Sequence, residues 1–362
     1  MPQETDVPQK KKTDPKRVMI TGASGAIGAH IMAHILEHND WRIVAIDSFH
    51  PLHKGYFDRI AEICKEHPEW KERISIFQHD LVAPFSPREV SQIGEINYII
   101  NLASRSDVPN SLEATINEPT GASSQFVRNN VELMLNMLDY ARLAMPEVFL
   151  HFSTDEVYGP APKYGGGHRE WDPHVPSNPY SASKAMQEDL AVAWWRCYNV
   201  PVIITNTMNN FGPMQAPSKF PAMIQTKIEK DEVIDVHAST DGQIGTRYYI
   251  DSRNVAHAIL FILNNVRPIL HGPGEIDLPE RFNIVGDKQL DNQQLVEVIS
   301  EFMGKPAQVR LVRYHEKNPG HDLHYGLNGE KLAGLGWESP KSFEESMKST
   351  IEWQKEHPEW MK

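Results

Sequence analysis

The chain has 362 residues, a formal net charge of −12 and an apolar fraction of 40%. It can therefore bury a large core, as two domains or as one domain with an added lobe. The negative charge argues against nonspecific nucleic-acid binding, and no apolar run nears the roughly 20 residues of a membrane helix. Only Cys64 and Cys197 occur, too few for a disulfide framework or a cysteine metal site, which points to a reducing compartment, the cytoplasm by default.

Residues 1–16 are polar and basic with no apolar stretch, so they read as a disordered tail and not as a secretory signal. From Arg17 short apolar runs alternate with amphipathic stretches. Strands are predicted at 17–21, 41–46, 74–77, 97–101, 148–152 and 202–205, and helices at 26–38, 124–143 and 179–198. Such repetition predicts an α/β fold, a Rossmann-type doubly wound parallel sheet over 17–205. Loops rich in Pro, Asn and Gly then break the rhythm. Residues 206–232 and 266–362 are expected to form a smaller, discontinuous C-terminal lobe, with a return toward the sheet near 233–265. The hexapeptide Lys-Glu-His-Pro-Glu-Trp at 65–70 recurs at 355–360 and reads as two surface helix ends. The 17 histidines are scattered; no His-Glu-x-x-His or comparable spacing is evident, and no metal site is expected.

Between the first strand and first helix stands Thr21-Gly22-Ala-Ser-Gly25-Ala-Ile-Gly28, the context a dinucleotide fingerprint requires. Gly22 permits the tight turn, Gly25 the close approach of backbone to a pyrophosphate, and Gly28 the packing of helix on sheet; Ser24, Ala26 and Ile27 complete the loop and first turn. Asp47 ends the second strand, 19 residues beyond Gly28, where a carboxylate accepts from an adenosine ribose and repels a 2′-phosphate, favouring NAD over NADP. Asp80 and Leu81 follow the third strand, and Leu102, Ala103 and Ser104 the fourth, where small residues let a cofactor lie on the backbone. For Asp80 the alternative is a turn cap.

Thr154, Asp155 and Glu156 stand at the end of the strand near 148–152, and Tyr180 and Lys184 are four apart on the following helix, on one face. A hydroxyl, two adjacent carboxyls, a phenol and an ammonium suit oxidation of an alcohol followed by loss of water beside the new ketone. The ammonium is expected to lower the phenol's pKa. The plainer alternatives are an exposed Tyr/Lys pair and, for Asp155 and Glu156, a cap after the strand.

With the glycine loop, Ser153-Thr-Asp-Glu-Val-Tyr-Gly159, Tyr180-Ser-Ala-Ser-Lys184, Asn209-Asn-Phe-Gly-Pro213 and Pro319-Gly-His-Asp322, the chain from Arg17 onward resembles the extended short-chain dehydrogenase/reductase family, most closely its nucleotide-sugar 4,6-dehydratases. The resemblance implies a tightly bound, recycled NAD and a nucleotide-diphosphate sugar substrate. Tyr180 would deprotonate the C4 hydroxyl beside Thr154, Lys184 would hold the cofactor ribose, Glu156 would remove the C5 proton, and protonated Asp155 would donate to the departing C6 hydroxyl. It also places Asn129 and Asn209 at the cofactor, and Ser106, Asn210, Lys219, Asn283 and His321 at the sugar or its nucleotide diphosphate. A homodimer through a four-helix bundle of the 124–143 and 179–198 helices is implied as well.

The chain departs from the family around Arg105 to Ser111, with an insertion before Phe126, and at Asn318, where the family has arginine. Arg247 stands two places from the family's diphosphate arginine, and either reaches a phosphate or is a surface strand residue. A C4-epimerase or uronate decarboxylase on the same scaffold is disfavoured by Asp155-Glu156. A cofactor-loaded binding or regulatory protein without turnover is disfavoured by Thr154, Tyr180 and Lys184.

Overall fold

The computed structural model describes residues 14–49, 56–106, 122–161, 166–272, 277–313 and 322–361. Most of the expected tail, the insertion before Phe126, Asn318 and His321 lie outside these. Lys16 is part of the fold, its carbonyl bonded to Arg42 and its amine paired with Glu147 at 2.8 Å, so the fold includes a residue before the expected boundary at Arg17.

Among the described residues a seven-stranded sheet is built from β1 (Arg17–Thr21), β2 (Arg42–Asp47), β3 (Ile74–Gln78), β4 (Tyr98–Asn101), β5 (Val148–Thr154), β6 (Val202–Thr207) and β10 (Glu280–Ile284), in the order β10-β6-β5-β4-β1-β2-β3. Every pairing in it is parallel. The inner strands bury both faces, which is why their sequences read as near-continuous apolar runs, whereas the edge strand β3 stays partly exposed. In β1, Val18 and Ile20 pack on one side and Met19 on the other, the two-residue period of a strand.

The first side is covered by α1 (Ala26–His38) and α7 (Ser252–Asn265), through Ile31, Met32 and Ile35 and through Val255, Ile259 and Ile262. The second is covered by α3 (Pro87–Ile93), α4 (Ala122–Ala144) and α5 (Pro179–Tyr198), with Ile93, Met134, Met137, Ala191 and Trp195 in its core.

A smaller lobe has its own core of Phe211, Ile224, Ile234, Tyr249, Leu295 and Met347. It contains β7 (Asn209–Phe211), β9 (Thr246–Asp251) and β11 (Lys288–Asp291) in one sheet, and β8 (Val233–Ala238) paired with β12 (Gln308–Arg313) in another. Around these pack α6 (Phe220–Glu229), α8 (Asn292–Met303) and α10 (Phe343–Glu356), and α9 (Glu330–Gly334) lies against β10. The expected return near 233–265 is thus divided. Residues 233–251 stay in the lobe, α7 alone packs on α1, and the last strand of the large sheet comes from 280–284, where Phe282 and Ile284 bury against the same core as α7. Both copies of the repeated hexapeptide run into 3₁₀ turns, Pro68–Arg73 and Pro358–Met361. Glu62 receives His357 at 3.4 Å and Lys65 at 3.6 Å, so the two copies converge.

Helix α5 is set by its ends and by one buried pair. Asn178 caps it, accepting from Ser181 N in a capping box with Pro179 in the first turn, and Asn199 closes it in the left-handed region. Glu188 is fully buried and meets the guanidinium of Arg281 on β10. The same carboxylate accepts from Asn206 Nδ2 at 2.7 Å and His174 Nε2 at 3.0 Å, and Arg281 also donates to the Glu170 carbonyl at 2.8 Å. Removing one partner leaves the other charge buried alone, which costs about 3–5 kcal/mol. Glu188→Gln is expected to lower the unfolding free energy by that amount in urea titration; a loss under about 1 kcal/mol would show that the pair does not hold the helix.

Candidate active site

Strand β5 ends at Thr154, opposite Thr207 of β6, and the chain then turns through a 3₁₀ helix, Asp155–Tyr158. Thr154 caps that turn: its Oγ1 accepts from Glu156 N at 3.4 Å and donates to Asp155 Oδ1 at 3.1 Å. The Tyr180 hydroxyl is hydrogen-bonded to the same threonine. Asn178, the cap of α5, directs its Nδ2 onto Glu156 Oε2 at 3.1 Å. Lys184, buried one turn after Tyr180, donates to the Phe152 carbonyl at 2.8 Å and to Gln187 at 2.7 Å. All five predicted catalytic residues are therefore gathered at the carboxyl end of β5 and the first turns of α5.

The two carboxyls differ. Asp155 is buried and its Oδ2 has no hydrogen-bond partner; burial, and then the neighbouring Glu156, raise its pKa to about 7. Glu156 is also raised by burial, but the Asn178 amide and the charges of Arg247 and Lys219 oppose that shift. Of the two, Asp155 has the surroundings that favour a proton most, and Glu156 those that oppose one through the Asn178 amide and Lys219. The Tyr180 phenol is raised by desolvation, Glu156 and Asp155. This corrects the expectation that Lys184 lowers it: the lysine amine is turned to Phe152 and Gln187, and burial lowers its own pKa to about 7.

The glycine loop fits a dinucleotide. Gly22 has φ +66°, and a Cβ there would stand 3.1 Å from Ala103 N; one on Gly28 would stand 2.5 Å from the Gly22 carbonyl. Helix α1 starts at Ala26 with no side-chain cap, so the first-turn N–H groups of Ala26, Ile27 and Gly28 face outward, as an anion requires. Ser24 Oγ is buried without a partner. Ser24 N donates to Asp47 Oδ2 at 3.2 Å, fixing that carboxylate at the end of β2 beside the loop. Leu102, Ala103 and Ser104 line its other side, half-buried, Ala103 N bonded to Thr21 Oγ1. Leu81 is buried in the core.

Other expected contacts are placed differently. Asp80 is exposed and caps its own turn through Val82 N. The inward asparagine of α4 is Asn130 rather than Asn129. Asn130 is fully buried, accepting from Arg105 N and donating to Ser183 Oγ, whereas Asn129, one residue round the helix, is half-buried. Asn283 is fully buried and spends its amide protons on the His168 and Asn328 carbonyls. That corrects its assignment to the diphosphate: it braces a strand end. Arg247 is not a surface residue. It is 7% exposed, donates to the Asp322 and Leu323 carbonyls and lies on the Tyr325 ring. Lys219 Nζ approaches the Ser106 carbonyl at 3.4 Å, so those two predicted residues do meet. Asn209 is exposed; Asn210 is half-buried, with its Oδ1 unpartnered.

The sequence reading missed Asn178, although Asn-Pro before a helix is a cap signal. It also missed the Ser177 contact to Asp322 at 2.7 Å and Gln187, neither of which carries a local signal.

A model of the NAD dependent epimerase/dehydratase family matches residues 18–284. The chain belongs to that family. It is 29% identical over 360 residues to a probable dTDP-glucose 4,6-dehydratase of Sinorhizobium fredii, covering 95% of this chain and 94% of that one. It is 28% identical over 371 residues to dTDP-glucose 4,6-dehydratase of Escherichia coli, covering 95% of each. Among solved structures it is similar to DesIV, a dTDP-glucose 4,6-dehydratase of Streptomyces venezuelae with NAD and TYD bound, at a TM-score of 0.79 and 25% identity, over 95% of this chain and 98% of that one.

The raised Asp155 pKa has a testable sign. The native state holds this proton between the ordinary value of 3.8 and about 7 while the unfolded state releases it, so stability falls as pH rises through that window. The carboxyl signal of Asp155, followed by isotope-edited infrared, is expected to titrate near neutrality; titration in the ordinary carboxylate range would show the pocket to be wet.

Proposed function

We propose that the chain is an NAD-dependent nucleotide-hexose 4,6-dehydratase, converting a nucleotide-diphosphate hexose to its 4-keto-6-deoxy form. The observation that carries this is the split carboxyl pair beside Thr154 and Tyr180. Alcohol oxidation alone has no use for it, and neither has C4 inversion. When bound, NAD supplies the hydride acceptor and donor of the cycle and a positive ring that draws Tyr180 toward its phenolate. The glycine loop, Ser24, Asp47 and Lys184 are the residues that hold it.

Thr154 and Tyr180 orient the C4 hydroxyl, and Tyr180 takes its proton. The ketone so formed acidifies the C5 proton. Glu156, kept ionised by Asn178, Arg247 and Lys219, removes that proton, while Asp155 gives its own to the C6 oxygen, so that water leaves. Lys219 and Ser106 mark the side at which the nucleotide diphosphate lies, and Asn209 and Asn210 border the same cleft. The large-sheet strands with α1 and α7 form the cofactor domain, and the smaller lobe forms the substrate wall. A homodimer through α4 and α5 is supported by Leu143, Met186 and Tyr198, large apolar side chains left exposed on these helices. Two free cysteines and no described helix long and apolar enough to cross a membrane fit a cytoplasmic enzyme.

Incubation with dTDP-glucose, UDP-glucose and related donors is expected to convert one of them to a product lighter by one water, without added reductant; an isomer of unchanged mass would instead mean epimerisation. Glu156→Gln is expected to slow elimination by about 10²–10⁴-fold while a 4-keto hexose retaining its C6 oxygen accumulates. Ordinary turnover by that variant would remove Glu156 from its role.

A further inference from the structure

At the C-terminal end of α1, away from the dinucleotide loop, His34, Glu37 and His38 each offer one ligand atom, and these atoms lie within 4.8 Å of one another. The spacing is His-x-x-Glu-His, the reverse of the pattern sought in the sequence, and a helix brings its two histidines onto one face at i and i+4. We propose that His34, Glu37 and His38 form a binding site for a divalent transition-metal ion of the zinc class.

Three features support a built site. His38 Nδ1 lies 3.0 Å from the His34 carbonyl and 3.8 Å from Glu37 Oε2, and the His34 and His38 ring centroids are 4.1 Å apart, so the three side chains already sit together on one face. His34 and His38 border a cleft between α1 and α7 of about 220 Å³, lined also by Asn39, His257, Asn264 and Asn265, which gives room for a hydrated ion, while Glu37 stands outside that lining. Asn39, which also lines the cleft, has a buried Nδ2 that makes no hydrogen bond, a polar group beside the cluster with no partner of its own. His257 is not a ligand. Trp337 Nε1 donates to its Nδ1 at 3.0 Å, which puts the ring proton on Nε2, and the ring packs edge-on against His34 at 5.5 Å as a wall of the site.

A tetrahedral ion roughly 2.1 Å from each nitrogen holds its ligand atoms about 3.4 Å apart, so the cluster closes by rotation of the exposed Glu37 and His38. Imidazole and carboxylate donors favour zinc, nickel or copper over magnesium or calcium. The ion would tie down the end of α1, the helix whose other end faces the cofactor phosphates, about 20 Å away for a helix of this length. It takes no part in the chemistry at Asp155 and Glu156.

Full-length protein without a histidine tag, stripped by chelator, is titrated with Zn²⁺ by calorimetry and with Co²⁺ by visible absorption. One ion per chain is expected, bound at least about tenfold more weakly by His38→Ala and by His34→Gln, and Zn²⁺ is expected to raise the melting temperature of the wild type but not of His38→Ala. His38 is exposed, so its variant tests the site even if His34→Gln folds poorly. No saturable binding, or wild-type affinity in His38→Ala, would overturn the proposal.

Discussion

The site depends on the register of one helix. Along α5 and the residue preceding its cap, Ser177 holds Asp322, Asn178 holds Glu156, Tyr180 meets Thr154, Lys184 binds the Phe152 carbonyl and Glu188 is clamped by Arg281. Positions 180, 184 and 188 lie on one helical face, so a displacement of the helix would move phenol and amine together. The buried ion pair opposes that displacement. It is costly to form in a dry interior, and its role here is to specify position. Asn206 connects it to chemistry directly, donating both to Glu188 and to the Thr154 carbonyl.

Enclosure, more than charge pairing, sets the electrostatics of the cleft. Asp155, Glu156, Tyr180 and Lys184 are each displaced first by desolvation, every one toward its neutral form. What separates the two carboxyls is the company that each keeps. Both feel Arg247, but Asp155 has one oxygen without a partner and one held by the Thr154 hydroxyl, whereas Glu156 has an amide donor and Lys219 as well. Adjacent residues of nearly the same chemistry thereby stand in different surroundings, and a 3₁₀ turn suits this because consecutive side chains leave it in different directions.

The large sheet was legible because most of its parallel strands are buried on both faces and leave apolar runs, and helix 179–198 because an amphipathic stretch opens at Pro179, although its cap Asn178 was missed. The constellation at 154–156, 180 and 184 was legible as spacing on regular elements. What escaped depended on rotation or on partners distant in sequence. Asn130 rather than Asn129 points inward because one residue turns a helix by about 100°. Arg247 reads like a surface strand residue until the Asp322–Leu323 backbone is folded over it. Strand 280–284 was hidden by its own composition, since Glu280, Arg281 and Asn283 interrupt the apolar run that revealed the other strands.

The repeated hexapeptide gives the last turn of the chain an unexpected reach. Arg59, almost wholly buried, donates to the carbonyls of Ser24 and Met214 and lies under the Trp360 ring at 5.4 Å. The final residues thus brace, through the Arg59 guanidinium, the glycine loop for which pyrophosphate binding is proposed. An appendage fused to the carboxyl terminus, or a protease trimming it, would be felt first as a leak of the prosthetic nucleotide and only later as a loss of fold.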